Sequence, residues 1–297
     1  FVKHYNKMAR QAGMTLIELT VVLLVLVGLA GLLIPYVSGF VGKTHDATGS
    51  SNIQSLNNSM QRYAVEHYDN FPNNMDSLIE GANGTAGVVF TKMMDGMMPM
   101  GSDALNKYFD VLTLDANHAK QLTNVGIKNL RSMDPTTGDA TFNNTDALVG
   151  VAATSKVVIL KDGTAATMPT TVLTNLAHVM GKPVDTVANY YVVLGLGDDS
   201  TIAGSTVSDV PVHFSQNGDM GANNAYNHFV TVFEVLKTGC SDGAAVGSAA
   251  CATAGGTWTD PLTHDAKFVG SAMAMGMGNF EGLGGAMIRY YENSAQN

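Results

Sequence analysis

Glu18 is the residue whose chemistry most demands an explanation. It stands at the start of residues 19–42, a run without a single charge. A carboxylate beside that much apolar chain is costly unless a cation meets it, and an ionisable group in such a segment is by default a functional hypothesis. Two sources of positive charge lie close in sequence. One is the pair of side chains Lys7 and Arg10. The other would exist only if the backbone were cut after Gly13, because the new amino group of Met14 would then sit one helical turn from Glu18. In a stack of helices, Glu18 of one copy could neutralise the terminal amine of its neighbour. Pairing desolvated charges in this way fixes register even where the net stability gained is small.

Other residues that could carry chemistry have simpler explanations. Gly42-Lys43-Thr44 has the end of a phosphate loop, but the required first glycine is Val37 and no strand precedes it. There is no G-x-S-x-G elbow and no H-E-x-x-H. The eight histidines are scattered singly, which suits structural or surface roles better than zinc ligation. Gly195-Leu196-Gly197-Asp198-Asp199, with Asp209, could offer oxygens to calcium, but the spacing is not that of an EF-hand and a solvated loop is the simpler reading. Met93, Met94, Met97, Met98 and Met100 cluster, as do Met273, Met275 and Met277. Thioethers bind Cu(I), but they also fill gaps in cores and interfaces, and packing is the expectation here. Cys240 and Cys251 are the chain's two cysteines. In an oxidising compartment they would most simply pair with each other, the alternative being two buried free thiols. No catalytic constellation, metal or cofactor is expected from these residues.

Bulk composition narrows the field. The 297 residues suffice for one large domain or two modest ones. Charged residues make up 14% of the chain, well below the usual ~25%, so long polar but uncharged loops are expected. The formal net charge of -9 argues against nucleic acid as a partner. The charge is also unevenly placed. Residues 1–13 contain Lys3, Lys7 and Arg10 and no acid, which leaves the remainder more acidic than the whole. A short basic leader, an apolar run and an acidic body fit a protein whose N-terminus is held in the cytoplasm and whose body lies outside.

These residues must be positioned by a small set of elements. A helix from Met14 to Ile34 would be about 30 Å long at ~1.5 Å per residue, the thickness of a bilayer core. It is apolar all round. After Pro35, the glycines Gly39, Gly42 and Gly49 weaken helix continuity. Ile53, Leu56, Met60, Tyr63, Ala64 and His67 then recur at helical spacing, predicting an amphipathic helix that Asn70-Phe71-Pro72 stops. Residues 156–160, 190–196, 210–214 and 228–236 are rich in Val, Tyr and Phe and are predicted strands. Short helices are predicted at 102–109, 115–125 and 170–180, the second with Asp115 as N-cap. Strands following a helix and separated by long turns suggest α+β, with an antiparallel sheet packed on the helix.

Gly13-Met14-Thr15-Leu16-Ile17-Glu18-Leu19, after a short basic leader, resembles the prepilin peptidase site of type IV pilins and type II secretion pseudopilins. The resemblance covers roughly the first 60 residues. It implies cleavage between Gly13 and Met14, methylation of the new N-terminus at Met14, assembly through Glu18, and a helix kink at Pro35, which falls at the family's proline position. Met14 stands where Phe is commoner, as in the type IVb branch. Tyr68-Asp69-Asn70-Phe71-Pro72 followed by Leu78 is similar to the segment after the family's long helix, and a disulfide-bounded loop near the C-terminus is frequent there. The opening residue, Phe1, leaves an incomplete leader open.

The implied organisation is a leader at 1–13, a transmembrane and assembly helix at 14–37, an amphipathic helix region at 38–70 and an extracytoplasmic head at 71–297. The implied fold is pilin-like: α+β, with a long N-terminal helix, half transmembrane and half amphipathic, on an antiparallel head. The implied function is a structural subunit, major or minor, of a type IV pilus or pseudopilus-like filament, and not an enzyme. The implied partners are identical or related pilin subunits, prepilin peptidase, and the inner membrane with its assembly platform. The precursor would be single-pass in the inner membrane, and the filament extracellular or periplasmic. Two readings compete at the N-terminus, an ordinary secretory signal cut after Gly39 and a plain signal anchor. For the whole chain the alternative is a membrane-anchored extracytoplasmic binding protein or enzyme that uses a pilin-like export signal.

Overall fold

The structure, a computed structural model, describes residues 16–80, 109–133, 148–160, 183, 188–212, 226, 228–237, 248–258 and 264–273. The chain divides into two compact units, Phe1–Asp46 and Ala47–Asn297. Helix α1, Leu16–Glu66, contributes to both. In the first unit, the described side chains from Leu16 to Gly31 are exposed.

The second unit begins with the C-terminal part of α1. Ile53, Leu56, Met60, Tyr63 and Ala64 are all buried, so the predicted amphipathic face is the face that enters the core. The helix ends because the chain turns left-handed: Tyr68 and Asp69 have φ of 55° and 63°. The Asp69 amide then bonds back to the Ala64 carbonyl at 2.8 Å, and the Asn70 side-chain amide donates to the His67 carbonyl at 2.7 Å. Phe71 packs next to the edge of Phe233, with ring centroids 5.4 Å apart.

Eight strands form one sheet among the described residues: β1 Met75–Glu80, β2 Phe109–Thr113, β3 Asn129–Met133, β4 Leu148–Gly150, β5 Lys156–Leu160, β6 Asn189–Gly195, β7 Phe229–Leu236 and β8 Lys267–Met273. The order β2-β5-β6-β1-β3-β4 is joined by β7 on β6 and β8 on β7. β6 is the branch point. β7 pairs along its full length, whereas its other edge is shared by β5, at Val192 and Val193, and β1, at Gly195. Helix α2, Ala116–Asn124, follows β2, with Asp115 as its N-cap and His118 closing a capping box. Helix α3, Ser248–Thr253, lies between β7 and β8.

Two parts of the expected fold are corrected. The first is the membrane-spanning half of the helix. Among the described residues no helix is long and apolar enough to cross a membrane. The second is the sheet, which is mixed: β1 and β3 pair in parallel, while the other pairings are antiparallel. Asn73 explains the parallel pair. Its Oδ1 accepts from the Lys128 amide at 2.9 Å and the Asn129 amide at 2.7 Å, and the Asn74 amide donates to the Asn129 carbonyl at 3.1 Å. Both strands are thus clamped at their N-terminal ends and enter the sheet in the same direction.

The predicted strands at 156–160, 190–196 and 228–236 are present as β5, β6 and β7, and the predicted helix at 115–125 as α2. Of 210–214, Val212 makes an isolated bridge to His228, and residues 213 and 214 lie outside the described residues. Phe109, the last residue of a predicted helix, opens β2. The rest of that helix and the one at 170–180 lie outside the described residues.

Candidate functional site

The N-terminal constellation is placed in part. Gly13 and Met14 lie outside the described residues. Glu18 sits in the first turn of α1, exposed, at the helix end whose dipole favours negative charge. Around it the apolar surface is open on every side: Leu16 is 80% exposed, Ile17 70% and Leu24 76%, and the exposure continues through Leu29. The helical span continues through Pro35, so the helix does not end at that proline.

The acidic loop considered for calcium does other work. Asp199 Oδ2 lies 3.2 Å from Nη1 of Arg131, a side chain only 5% exposed. Its cation is therefore a guanidinium supplied by β3. Asp209 is exposed and lies along a separate shallow cavity with Asn52 and Ser55 of α1. Among the described residues no group of three or more His, Cys, Asp or Glu is placed to hold a metal ion.

Arg131 belongs to a buried polar cluster that the sequence did not reveal. The Tyr226 hydroxyl donates to Asp76 Oδ2 at 2.7 Å, and both residues are buried. His228 lies beside Tyr226, with ring centroids 5.5 Å apart. Burial holds the Tyr226 phenol well above its usual pKa, and the Asp76 carboxylate pushes the same way. Burial lowers the His228 imidazole below its usual value, opposed by Asp198 and reinforced by Arg131. Two glycines make room for the cluster. A Cβ on Gly195 would overlap the Tyr226 hydroxyl, and one on Gly197 would stand 2.5 Å from Asp76 Oδ2.

A groove of about 360 Å³ opens where α1 ends. Tyr63, Glu66, His67 and Tyr68 line it from the helix, Asn70, Phe71 and Asn73 from the following turn, and Gly126, Lys128 and Thr201 from the opposite wall. Gly126 has φ of +91°, and a Cβ there would lie 2.7 Å from Asn70 Cβ, so that wall requires glycine. Tyr63 and His67 stack at 3.9 Å, and the Tyr63 hydroxyl is 2.9 Å from Thr201 Oγ1.

No family model, curated protein or solved structure matches this chain.

Cys251 is fully buried and disulfide-bonded; Cys240, the other cysteine of the sequence, lies outside the described residues. So do Met93, Met94, Met97, Met98, Met100, Met275 and Met277. The residues missed from sequence are Asp76, Arg131, Tyr226 and His228. Asp76, Arg131 and the pair Tyr226 and His228 come from three separate segments, and only the last two are close in sequence. The available signal was Gly195 and Gly197, alternate glycines at a strand end, which mark a close approach of other atoms.

Proposed function

We propose that this protein is a structural subunit of a type IV pilus or pseudopilus-like filament. Prepilin peptidase would cut it between Gly13 and Met14, Met14 would be methylated, and the subunit would assemble through α1. Its partners would be identical or related subunits, with the precursor held at the inner membrane and the filament outside the cytoplasm. The observation that carries this reading is the open apolar surface of α1 from Leu16 to Leu29 with Glu18 in its first turn. Covering each such side chain is worth on the order of 1.5–3 kcal/mol, so this surface favours company over water. Neighbouring copies supply both that cover and a cation, because each processed subunit would bring a Met14 amine. The same reading takes the bridge partner of Cys251 to be Cys240, which suits export to an oxidising compartment.

The test combines two measurements. N-terminal mass spectrometry of sheared filaments should find methylated Met14; Phe40 as the terminus would instead mean an ordinary secretory signal. Glu18→Ala should leave the amount of folded subunit in the cell unchanged and reduce sheared filament at least tenfold. Undiminished filament yield would remove Glu18 from assembly.

A further inference from the structure

We propose that the groove at the end of α1 is a saccharide subsite that receives one pyranose ring against Tyr68. This goes beyond filament formation and does not depend on it, since the groove lies wholly within the unit Ala47–Asn297.

Three observations lead there. The first is size and shape: about 360 Å³ is at the small end of ligand sites, and it opens between a helix end and a glycine-built wall. The second is Tyr68, which is 94% exposed while held in the left-handed region together with Asp69. A left-handed conformation is unfavourable for a non-glycine residue, and such strain is concentrated at functional positions. Here it holds a phenol ring out at the rim. An aromatic ring with a polar tip can meet the C–H face of a sugar on one side and a hydroxyl at its end.

The third observation is the distribution of hydrogen-bonding groups. Part of the lining is spent on the fold: Thr201 Oγ1 accepts from the Asn73 amide at 2.8 Å, and Asn73 Oδ1 holds the start of β3. Glu66 is neutralised by Arg62 at 3.0 Å. The Tyr68 hydroxyl, the Asn73 side-chain amide group and the exposed Lys128 ammonium remain for a ligand. This mixture of one exposed ring and hydrogen-bond donors, with no large apolar pocket, suits a hydroxylated ring and not a lipid or a hydrophobic peptide. Lys128 brings the positive charge that the Glu66–Arg62 pair leaves uncompensated, and it separates two sources of the ring, a neutral hexoside and a uronide.

Saturation-transfer NMR on the full chain tests this, in a zwitterionic detergent that carries no sugar. The probes are the methyl glucoside, methyl galactoside and methyl glucuronide. Transfer to at least one of them is expected. It should fall at least tenfold in Tyr68→Asn, because asparagine tolerates the left-handed backbone while the ring is removed. Tyr68→Phe should retain transfer, and Val65→Ala, on the exposed helix surface outside the groove, should leave it unchanged. Lys128→Met should weaken the glucuronide alone if the acidic ring is the ligand, and neither ring differently if the neutral one is. An unchanged melting temperature shows that Tyr68→Asn is folded. No transfer to any of the three, or equal transfer in Tyr68→Asn, overturns the proposal. So does loss of filaments in Tyr68→Asn with saccharide binding intact, which would make the groove a contact between subunits.

Discussion

His228 shows how a single side chain can make the head sensitive to acid. It is buried beside Tyr226, and burial holds its pKa below the ordinary value. The unfolded chain therefore takes up a proton more readily than the fold does. Stability from this residue is fully present above the unfolded pKa of about 6.5 and is lost as pH falls below it towards the lower folded value. Denaturant midpoints measured from pH 7.5 to pH 5 should fall, and His228→Gln should flatten that slope; an unchanged slope would mean that other groups dominate. Legibility differed sharply at this scale. Glu18 stood out because its anomaly is local, one carboxylate beside an uncharged run. Asp76, Arg131, Tyr226 and His228 did not, because each is unremarkable until the fold brings β1, β3 and the residues just before β7 together.

At the scale of elements, side-chain amides finish what backbone pairing leaves open. Gln121 of α2 donates to the Leu236 carbonyl at 3.0 Å and accepts from the Leu236 amide at 2.8 Å, so it acts as a neighbouring strand for the last residue of β7. Asn57 of α1 accepts from the Ser271 amide of β8 at 2.7 Å. Gln121→Leu should cost about 1–3 kcal/mol by leaving a largely buried backbone amide without its partner, read as a lower denaturant midpoint at unchanged slope. A loss within experimental error would show that water reaches that amide. The strands readable from sequence, β5, β6 and β7, are those with unbroken runs of Val, Ile, Tyr and Phe. β1 was hidden because Asp76 and Ser77 are buried within it, and because a register irregularity between Asp76 and Glu80 makes Leu78 and Ile79 consecutive core residues. β3 carries the buried Arg131 in the same way.

For the whole molecule, the two units differ in what water can tolerate. The unit Ala47–Asn297 buries the core, from Ile53 of α1 to Ala272 of β8, while the described helix before it exposes large apolar side chains. A protein beginning at Ala47 should therefore elute from size-exclusion chromatography as a folded monomer without detergent, whereas one beginning at Met14 should require detergent. Aggregation of the shorter protein would show that its core needs the earlier helix. The expected division at Phe71 came from sequence punctuation at Asn70-Phe71-Pro72, whereas contacts place the break at Asp46. Burial of the second half of α1 makes that part of the helix belong to the head.

The divided edge of β6 also has a consequence in time. One side of this strand is complete only when β5 and β1 have both arrived, and those neighbours are drawn from residues near 76 and near 158. The other side needs β7, from residues near 232. Closing loops of such length is slow, and contacts between distant segments delay folding. β6 therefore cannot be completed early from its own neighbourhood in the chain. It is finished once the distant segments have met, and its central amides, in a strand paired on both edges, should then be among the last to exchange with solvent.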